Sequence, residues 1–291
     1  MATAVQTDRK SVVAEAVSKI GDIATLPEIT LKIIEVVENP KSTARDLHAI
    51  IKNDPALSAK ILKVVNSAFY GLPGQIADMN RAIVLLGLSA VKNIAIAASI
   101  SRMFKGDKPH PHFTSRDLWR HSVTVAVASR RLALAAGNKS GAEELFLGGL
   151  IHDLGILVER QAFGDRFLRV VDKCHQSGID LRTAEAEEFG ADHQDFGMGL
   201  GARWKFPKHL VSLIGYHHVP ELLGDTERRL VSFVRIADIL ACQENLGFSM
   251  GCAGDEITNE MLGVCGLNED HIGEIRELLP EDAGNAEATF L

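Results

Sequence analysis

The sequence predicts an all-α protein, a multi-helix bundle with an N-terminal helical subdomain. Three observations carry this. Apolar residues recur at three- and four-residue intervals along most of the chain; alternating strand patterns are nearly absent; and Pro, Gly, Asn and Asp fall between the periodic runs, where helices start and stop.

The elements follow in order. In "LPEITLKIIEVVENP", Leu31, Ile34 and Val37 form a stripe widened by Ile33 and Val36, bounded by Pro27 and by Asn39-Pro40. "STARDLHAIIKNDP" repeats the pattern with Ser42 or Thr43 as cap, and the next helix opens in "DPALSAKILKVVNSAF" with Pro55 in its first turn. "YGLPGQ" is a loop, and "DMNRAIVLLGLSAVKNIAIAASISRMF" holds two helices broken around Gly87-Leu88-Ser89. "KGDKPHPHF" interrupts the periodicity and marks a seam between subdomains. Beyond it, "SRDLWRHSVTVAVASRRLALAAG", "GAEELFLGGLIHDLGILVERQAFGDRFLRVVDKCHQSG", "DLRTAEAEEFG", "DHQDFGMGLGARWKF", "PKHLVSLIGYHH" and "TERRLVSFVRIADILACQENLG" all read as helical. The expected organisation is a tail over 1–14, a main domain over 15–250 divided into halves 15–108 and 109–250, and an extension over 251–291. That extension carries one helix, "NEDHIGEIRELL", followed by a polar end.

Apolar residues make up 46% of the chain and charged ones 24%, enough for a substantial core. Asp and Glu outnumber Lys and Arg by 38 to 31, which argues against general nucleic-acid binding. Cys174, Cys242, Cys252 and Cys265 are scattered without a CxxC and read as reduced thiols rather than a disulfide frame or zinc knuckle. The first residues lack the apolar core of a signal peptide, and no run reaches the ~20 apolar residues of a membrane span. The expectation is a soluble cytoplasmic protein with neither nucleic acid nor membrane as partner.

The chemistry gathers in the second half. "GLIHDLGIL" places His152 and Asp153 side by side in an apolar run, where an imidazole and a carboxylate are costly unless something satisfies both. His121 lies about 30 residues earlier; His193 opens a helix, His217-His218 ends one, and Asp238 sits in the apolar run "VRIADILA". Such residues on successive helices can converge inside a bundle, where helical proteins build metal sites. Imidazole with carboxylate suits Fe, Mn, Zn or Ni, one or two ions; nothing points to an organic cofactor. For Asp238 the alternative is a pair with Arg235, three residues earlier. For His152 and Asp153 the alternative is a hydrogen-bonded polar cluster without metal.

"GLIHDLGIL", preceded by His121 and followed by Asp238, resembles the HD superfamily of metal-dependent phosphohydrolases, whose ligands run H…HD…D. The added His193 and His217-His218 resemble the larger set of the HD-GYP phosphodiesterases, which cut cyclic di-GMP. "ATLPEITLKIIEVVENP", "DLHAIIKNDPALSAKILKVVNSAFYG" and "MNRAIVLLGLSAVKNIAIA", in that order, closely resemble the HDOD family over roughly residues 15–245. The resemblance implies a regulatory module of bacterial signalling. Its first metal would be held by His121, His152, Asp153 and Asp238, its second by His193, His217 and His218, with Asp153 bridging.

Two departures bear on activity. HD-GYP proteins carry HDxGK, whose lysine contacts the substrate phosphate; here Ile156 follows Gly155. The GYP segment is also absent, the chain reading "HHVPELLGDTERR". Arg203, Lys205 and Lys208 lie near His193 in sequence and could in principle substitute, but read as a helix cap and a solvated basic loop. The expected function is therefore regulatory and non-hydrolytic, acting through a sensor kinase, a response regulator or a cyclic-nucleotide signalling protein. A metal-dependent phosphohydrolase acting on a nucleotide or cyclic dinucleotide is the alternative.

Overall fold

The computed structural model describes residues 2–21, 26–39, 41–67, 70–104, 110–252 and 254–290. Among them there is no β-strand, and His110 and Phe113 form an isolated bridge. The first part of the expected seam, residues 105–109, lies outside the described residues.

The N-terminal lobe is built from α2 (Glu28–Glu38), α3 (Ala44–Ile51), α4 (Pro55–Val65), α5 (Met79–Leu86) and α6 (Leu88–Ile100). Its boundaries follow local chemistry. Thr43 and Asp46 close a capping box on α3, and Asp54 accepts a hydrogen bond from Leu57 N at the start of α4, with Pro55 as first helical residue. Gly87, at φ 88°, turns the chain by 117° between α5 and α6. Helix α6 is covered on nearly every side, packing on α2, α4, α5 and the second half. Lys92 on α6, itself buried, reaches Glu38 of α2 at 3.2 Å and Glu144 at 3.5 Å, tying the two halves by charge.

The second half comprises α7 (Ser115–Ala135), α8 (Ala142–Ile151), α9 (Leu154–Phe163), α10 (Asp165–Ser177), α11 (Leu181–Phe189), α12 (His193–Arg203), α13 (Lys208–Tyr216) and α14 (Asp225–Gln243). Helices α7 and α8 pack closely because α8 carries Gly149; a Cβ there would lie 2.7 Å from Val125 O. Helix α14 lies across both, and α12 packs on α9 and α13.

Three expectations change. The segment 1–14 is not a tail: α1 (Ala2–Lys19) runs through it and packs on α9 and α12. Its contact is made by Val12, Val13, Ala16 and Val17, a stripe that a boundary at residue 15 cuts in two. The extension holds two helices rather than one, α15 (Asn259–Cys265) and α16 (Glu269–Phe290). Helix α16 continues through Pro280 because Ala283, Ala286 and Phe290 are buried along the same face as Ile272, Ile275 and Leu279. That packing offsets the roughly 3 kcal/mol that an interior proline costs, and the face lies against α7. Third, the run containing "GLIHDLGIL" breaks at His152-Asp153. No single helix among the described residues is long and apolar enough to cross a membrane.

Cys265, at the end of α15, is fully covered, and burial pushes its thiol up to about 12. An unfolded thiol ionises near ~8.5. Above that pH the unfolded chain releases a proton that the folded chain keeps, so stability falls as pH rises, by about 1.4 kcal/mol per unit. In urea unfolding between roughly pH 8.5 and 10.5, wild type should lose stability more steeply than Cys265→Ala; equal slopes would contradict this.

Candidate metal centre

Two histidines end their helices in the same way. His152 follows α8 with its Nδ1 2.7 Å from Gly149 O, and His217 follows α13 with its Nδ1 2.7 Å from Ile214 O. Each ring takes the carbonyl three residues back, which a continuing helix would give to the next backbone N–H. This is the physical reason for the break at His152-Asp153: Asp153, at φ −97° and ψ 17°, leaves the helix and opens α9. A carbonyl only accepts, so both Nδ1 atoms carry a proton, and in the neutral rings both Nε2 atoms carry a lone pair.

Both Nε2 atoms converge on a carboxylate: burial would lower the pKa of His152, but Asp153 raises it, whereas that of His217 falls. Asp153 Oδ2 lies 3.3 Å from His152 Nε2, and Oδ1 lies 3.4 Å from His217 Nε2. Neither Nε2 has a hydrogen-bond partner among the described residues. Burial would raise the pKa of Asp153, but the surrounding rings, His152 foremost, hold it well below the usual carboxylate range. Burial also drives His217 down to about 4, so near neutral pH its Nε2 is unprotonated. An unprotonated ring nitrogen facing a carboxylate oxygen in a buried site repels it unless a cation lies near both. The donor set therefore fits a divalent metal ion.

His121, on α7, and Asp238, on α14, complete the same cluster. His121 Nε2 is 3.2 Å from Asp238 Oδ1 and 3.6 Å from Asp153 Oδ2, and His152 Nε2 is 3.8 Å from Asp238 Oδ1. Burial would raise Asp238; its hydrogen bond to His121 leads the contacts that hold it well below the usual range.

His193 is the first residue of α12, set there by Asp192, which caps the helix through Gln194 N and Asp195 N. Its Nε2 is 3.7 Å from Asp153 Oδ1 and 3.0 Å from His218 Nε2. Ligand atoms of Asp153, His193, His217 and His218 all lie within 4.8 Å of one another, as do those of His121, His152 and Asp153. All seven residues singled out from the sequence thus meet in one place, six of them buried and His218 partly covered. The fold makes this meeting possible at Gly155, where α9 and α12 touch backbone to backbone. A Cβ on Gly155 would lie 1.7 Å from His193 O.

Sequence reasoning missed several neighbours. Glu185 Oε2 accepts from both His193 N, at 3.0 Å, and His193 Nδ1, at 2.8 Å. Burial opposes a charge on His193, yet Glu185 outweighs it and raises this ring to about 10. A signal was present: Glu185 lies on the buried face of α11 with Leu181, Ala184 and Phe189, where a solvated acid does not belong. Behind it, burial first and Glu185 second push Glu159 well above the usual carboxylate range. Two of the scattered cysteines also reach the site: Cys252 Sγ is 2.7 Å from Asp238 Oδ2 and Cys242 Sγ 3.8 Å from Asp238 Oδ1. The alternative partner of Asp238 also holds: Arg235 Nη1 is 3.4 Å from Asp238 Oδ2, so Asp238 faces His121 with one oxygen and Arg235 with the other. Arg203, Lys205 and Lys208 are exposed; Arg203 ends the helix that His193 opens, about 15 Å along its axis.

The fold has clear counterparts. A crystal structure of an HDOD domain protein with unknown function from Geobacter sulfurreducens superposes with a TM-score of 0.84 at 24% identity, covering 99% of both chains. A proposed signal transduction protein from Marinobacter aquaeolei VT8 gives 0.78 at 21% identity, covering 98% of this chain and 65% of that one. In sequence, an uncharacterized protein of Treponema pallidum (strain Nichols) is 25% identical over 235 residues, 81% of this chain. The chain spans about half the length, 45%, of this curated relative. The HDOD domain model matches residues 23–220, covering the N-terminal lobe and the helices that bring His121, His152, Asp153, His193, His217 and His218 together. With its helix order and histidine cluster in agreement, the chain belongs to the HDOD domain family.

Proposed function

We propose that the chain is a regulatory module of bacterial signal transduction that acts through protein partners and does not hydrolyse phosphoesters. Its centre holds a divalent transition metal through His121, His152, Asp153 and Asp238, and this ion braces α7, α8, α9 and α14 against one another. A sensor kinase, a response regulator or a cyclic-nucleotide signalling protein is the class of partner. When bound, the ion supplies positive charge that neutralises two buried carboxylates and, where substrate can reach it, Lewis acidity.

The observation that carries this reading is closure of the centre. Asp153 is 4% exposed and Asp238 1%, and Cys252, in the short 3-10 turn Met250–Cys252, is seated on Asp238. Ile156, fully buried, replaces the cation that would meet a phosphate. Phosphoryl transfer relies on positive charge around the equatorial oxygens, and a hydrocarbon supplies none.

The convergence of all seven ligand-type residues favours a second reading, a metal-dependent phosphohydrolase acting on a nucleotide or cyclic dinucleotide. Hydrolysis assays separate the two. The full chain, supplied with Mn²⁺, is tested on p-nitrophenyl phosphate, bis(p-nitrophenyl) phosphate and cyclic di-GMP. The regulatory reading predicts no turnover above that of Asp153→Ala. Metal-dependent turnover that this substitution abolishes would replace it with the hydrolase.

A further inference from the structure

The ligands proposed above are imidazoles and carboxylates, yet two thiols also reach the centre. Cys242 lies on α14 four residues after Asp238, so the two share a face of the helix. Its Sγ is 3.8 Å from Asp238 Oδ1. The same oxygen faces His121 Nε2 at 3.2 Å and His152 Nε2 at 3.8 Å. Ligand atoms of His121, Asp238 and Cys242 lie within 4.8 Å of one another. His121, His152 and Asp238 are buried and Cys242 is 9% exposed, so this sulfur belongs to the closed centre rather than to the surface.

These separations are those of donors around one ion. Bonds of about 2.3 Å to sulfur and about 2.1 Å to oxygen, held at a tetrahedral angle, put the two atoms about 3.6 Å apart; nitrogen and oxygen come about 3.4 Å apart. The contacts of His121, His152 and Cys242 with Asp238 Oδ1 fall within a few tenths of an ångström of these values. Cys252 differs. Its Sγ is 2.7 Å from Asp238 Oδ2, closer than two ligands of one ion stand. Arg235 Nη1 lies 2.9 Å from the same sulfur, so a cation already faces it. That guanidinium is anchored by His218 Nδ1, 2.8 Å from Nη1, and by Asp255 Oδ2, 2.6 Å from Nη2.

We propose that Cys242 is a thiolate ligand of the divalent ion, alongside the imidazoles and carboxylates, and that Cys252 is not. This rests on the metal reading above. As the metal–sulfur bond forms, the thiol proton leaves to solvent. Thiolate is the soft donor among these side chains, so the set suits zinc better than manganese, which oxygen donors satisfy. The sequence signal is Cys242 one helical turn after Asp238.

Cobalt tests this, because a thiolate bound to Co²⁺ gives an intense near-ultraviolet charge-transfer band that imidazole and carboxylate do not. The full chain, purified without a nickel column and stripped of metal, is titrated with Co²⁺ in the absence of oxygen, and bound cobalt is counted by elemental analysis. Wild type and Cys252→Ser should bind cobalt and show the band. Cys242→Ser should lose the band while cobalt stays on the remaining ligands. Cobalt bound by wild type without the band would overturn the proposal and leave the metal reading intact. A band that survives in Cys242→Ser, or that disappears in Cys252→Ser, would do the same. No cobalt in wild type would overturn the metal reading and this proposal with it. Should Cys242→Ser fail to fold or to hold cobalt, X-ray absorption of zinc-loaded Cys252→Ser decides. A sulfur neighbour at about 2.3 Å is expected; a shell of nitrogen and oxygen alone would overturn the proposal.

Discussion

Gly155→Ala is expected to lower the melting temperature by about 6 °C or more. The added methyl would sit 1.7 Å from His193 O and 2.6 Å from His193 C, with Gly197 N at 2.8 Å. All three are backbone atoms, so no side chain can turn away, and α9 must move off α12. Overpacking costs about 1–3 kcal/mol and occasionally more; a backbone collision belongs at the upper end, about 3 kcal/mol. At roughly 2–4 °C per kcal/mol for a chain of this size, that gives the stated fall. The displacement would also carry His193 away from Glu185 and Asp153, so the cluster loosens with the fold. Gly273→Ala on α16 is the control, because nothing lies within 4 Å of its added Cβ. There the change should raise stability by about 0.5–1 kcal/mol, the helix preference of alanine over glycine. Thermal unfolding of the two variants beside wild type checks both. A melting temperature for Gly155→Ala within a degree of wild type would contradict the close crossing of α9 and α12.

Asp153→Ala is expected to abolish the response of thermal stability to divalent ions. In wild type, ion at 1,000 times its dissociation constant adds about 4 kcal/mol to folding, or roughly 8 °C or more. In the variant this shift should vanish, because among the described residues Asp153 is the one carboxylate within 4 Å of His121, His152, His193 and His217 together. The metal-free variant should also be less stable than metal-free wild type, by about 3 kcal/mol, since removing one partner from a buried charge cluster leaves the others uncompensated. A scan of melting temperature against Mn²⁺ reads both effects. An unchanged ion response in the variant would show that the ion binds elsewhere.

Much of this was legible because it is local. Pro27, Asp54-Pro55 and Gly87 punctuate the chain where the helices of the N-terminal lobe begin or bend, since a missing N–H or a positive φ acts within one turn. His152, Asp153 and Asp238 stood out because polar side chains in apolar runs need partners, and the fold supplies them. What depended on distant packing was hidden. The break at His152-Asp153 contains neither Pro nor Gly; it exists because a side chain takes the Gly149 carbonyl. Helix α16 outlasts Pro280 only because its far end is buried. Cys252 and Asp238 are 14 residues apart, and no periodicity relates a short turn to a helix interior. Arg235 was legible as the partner of Asp238, but its reach to His218 and Asp255 was not.

A metal ion that satisfies the lone pairs and carboxylates gathered around Asp153 should travel with the purified protein. Elemental analysis of wild type and Asp153→Ala, both purified without a nickel column, reads this. Fe, Mn or Zn is expected in wild type at one ion per chain and none in Asp153→Ala. Metal-free wild type that stays metal-free after incubation with each ion would contradict it; His152 and Asp153 would then belong to a cluster held together by protons and hydrogen bonds alone.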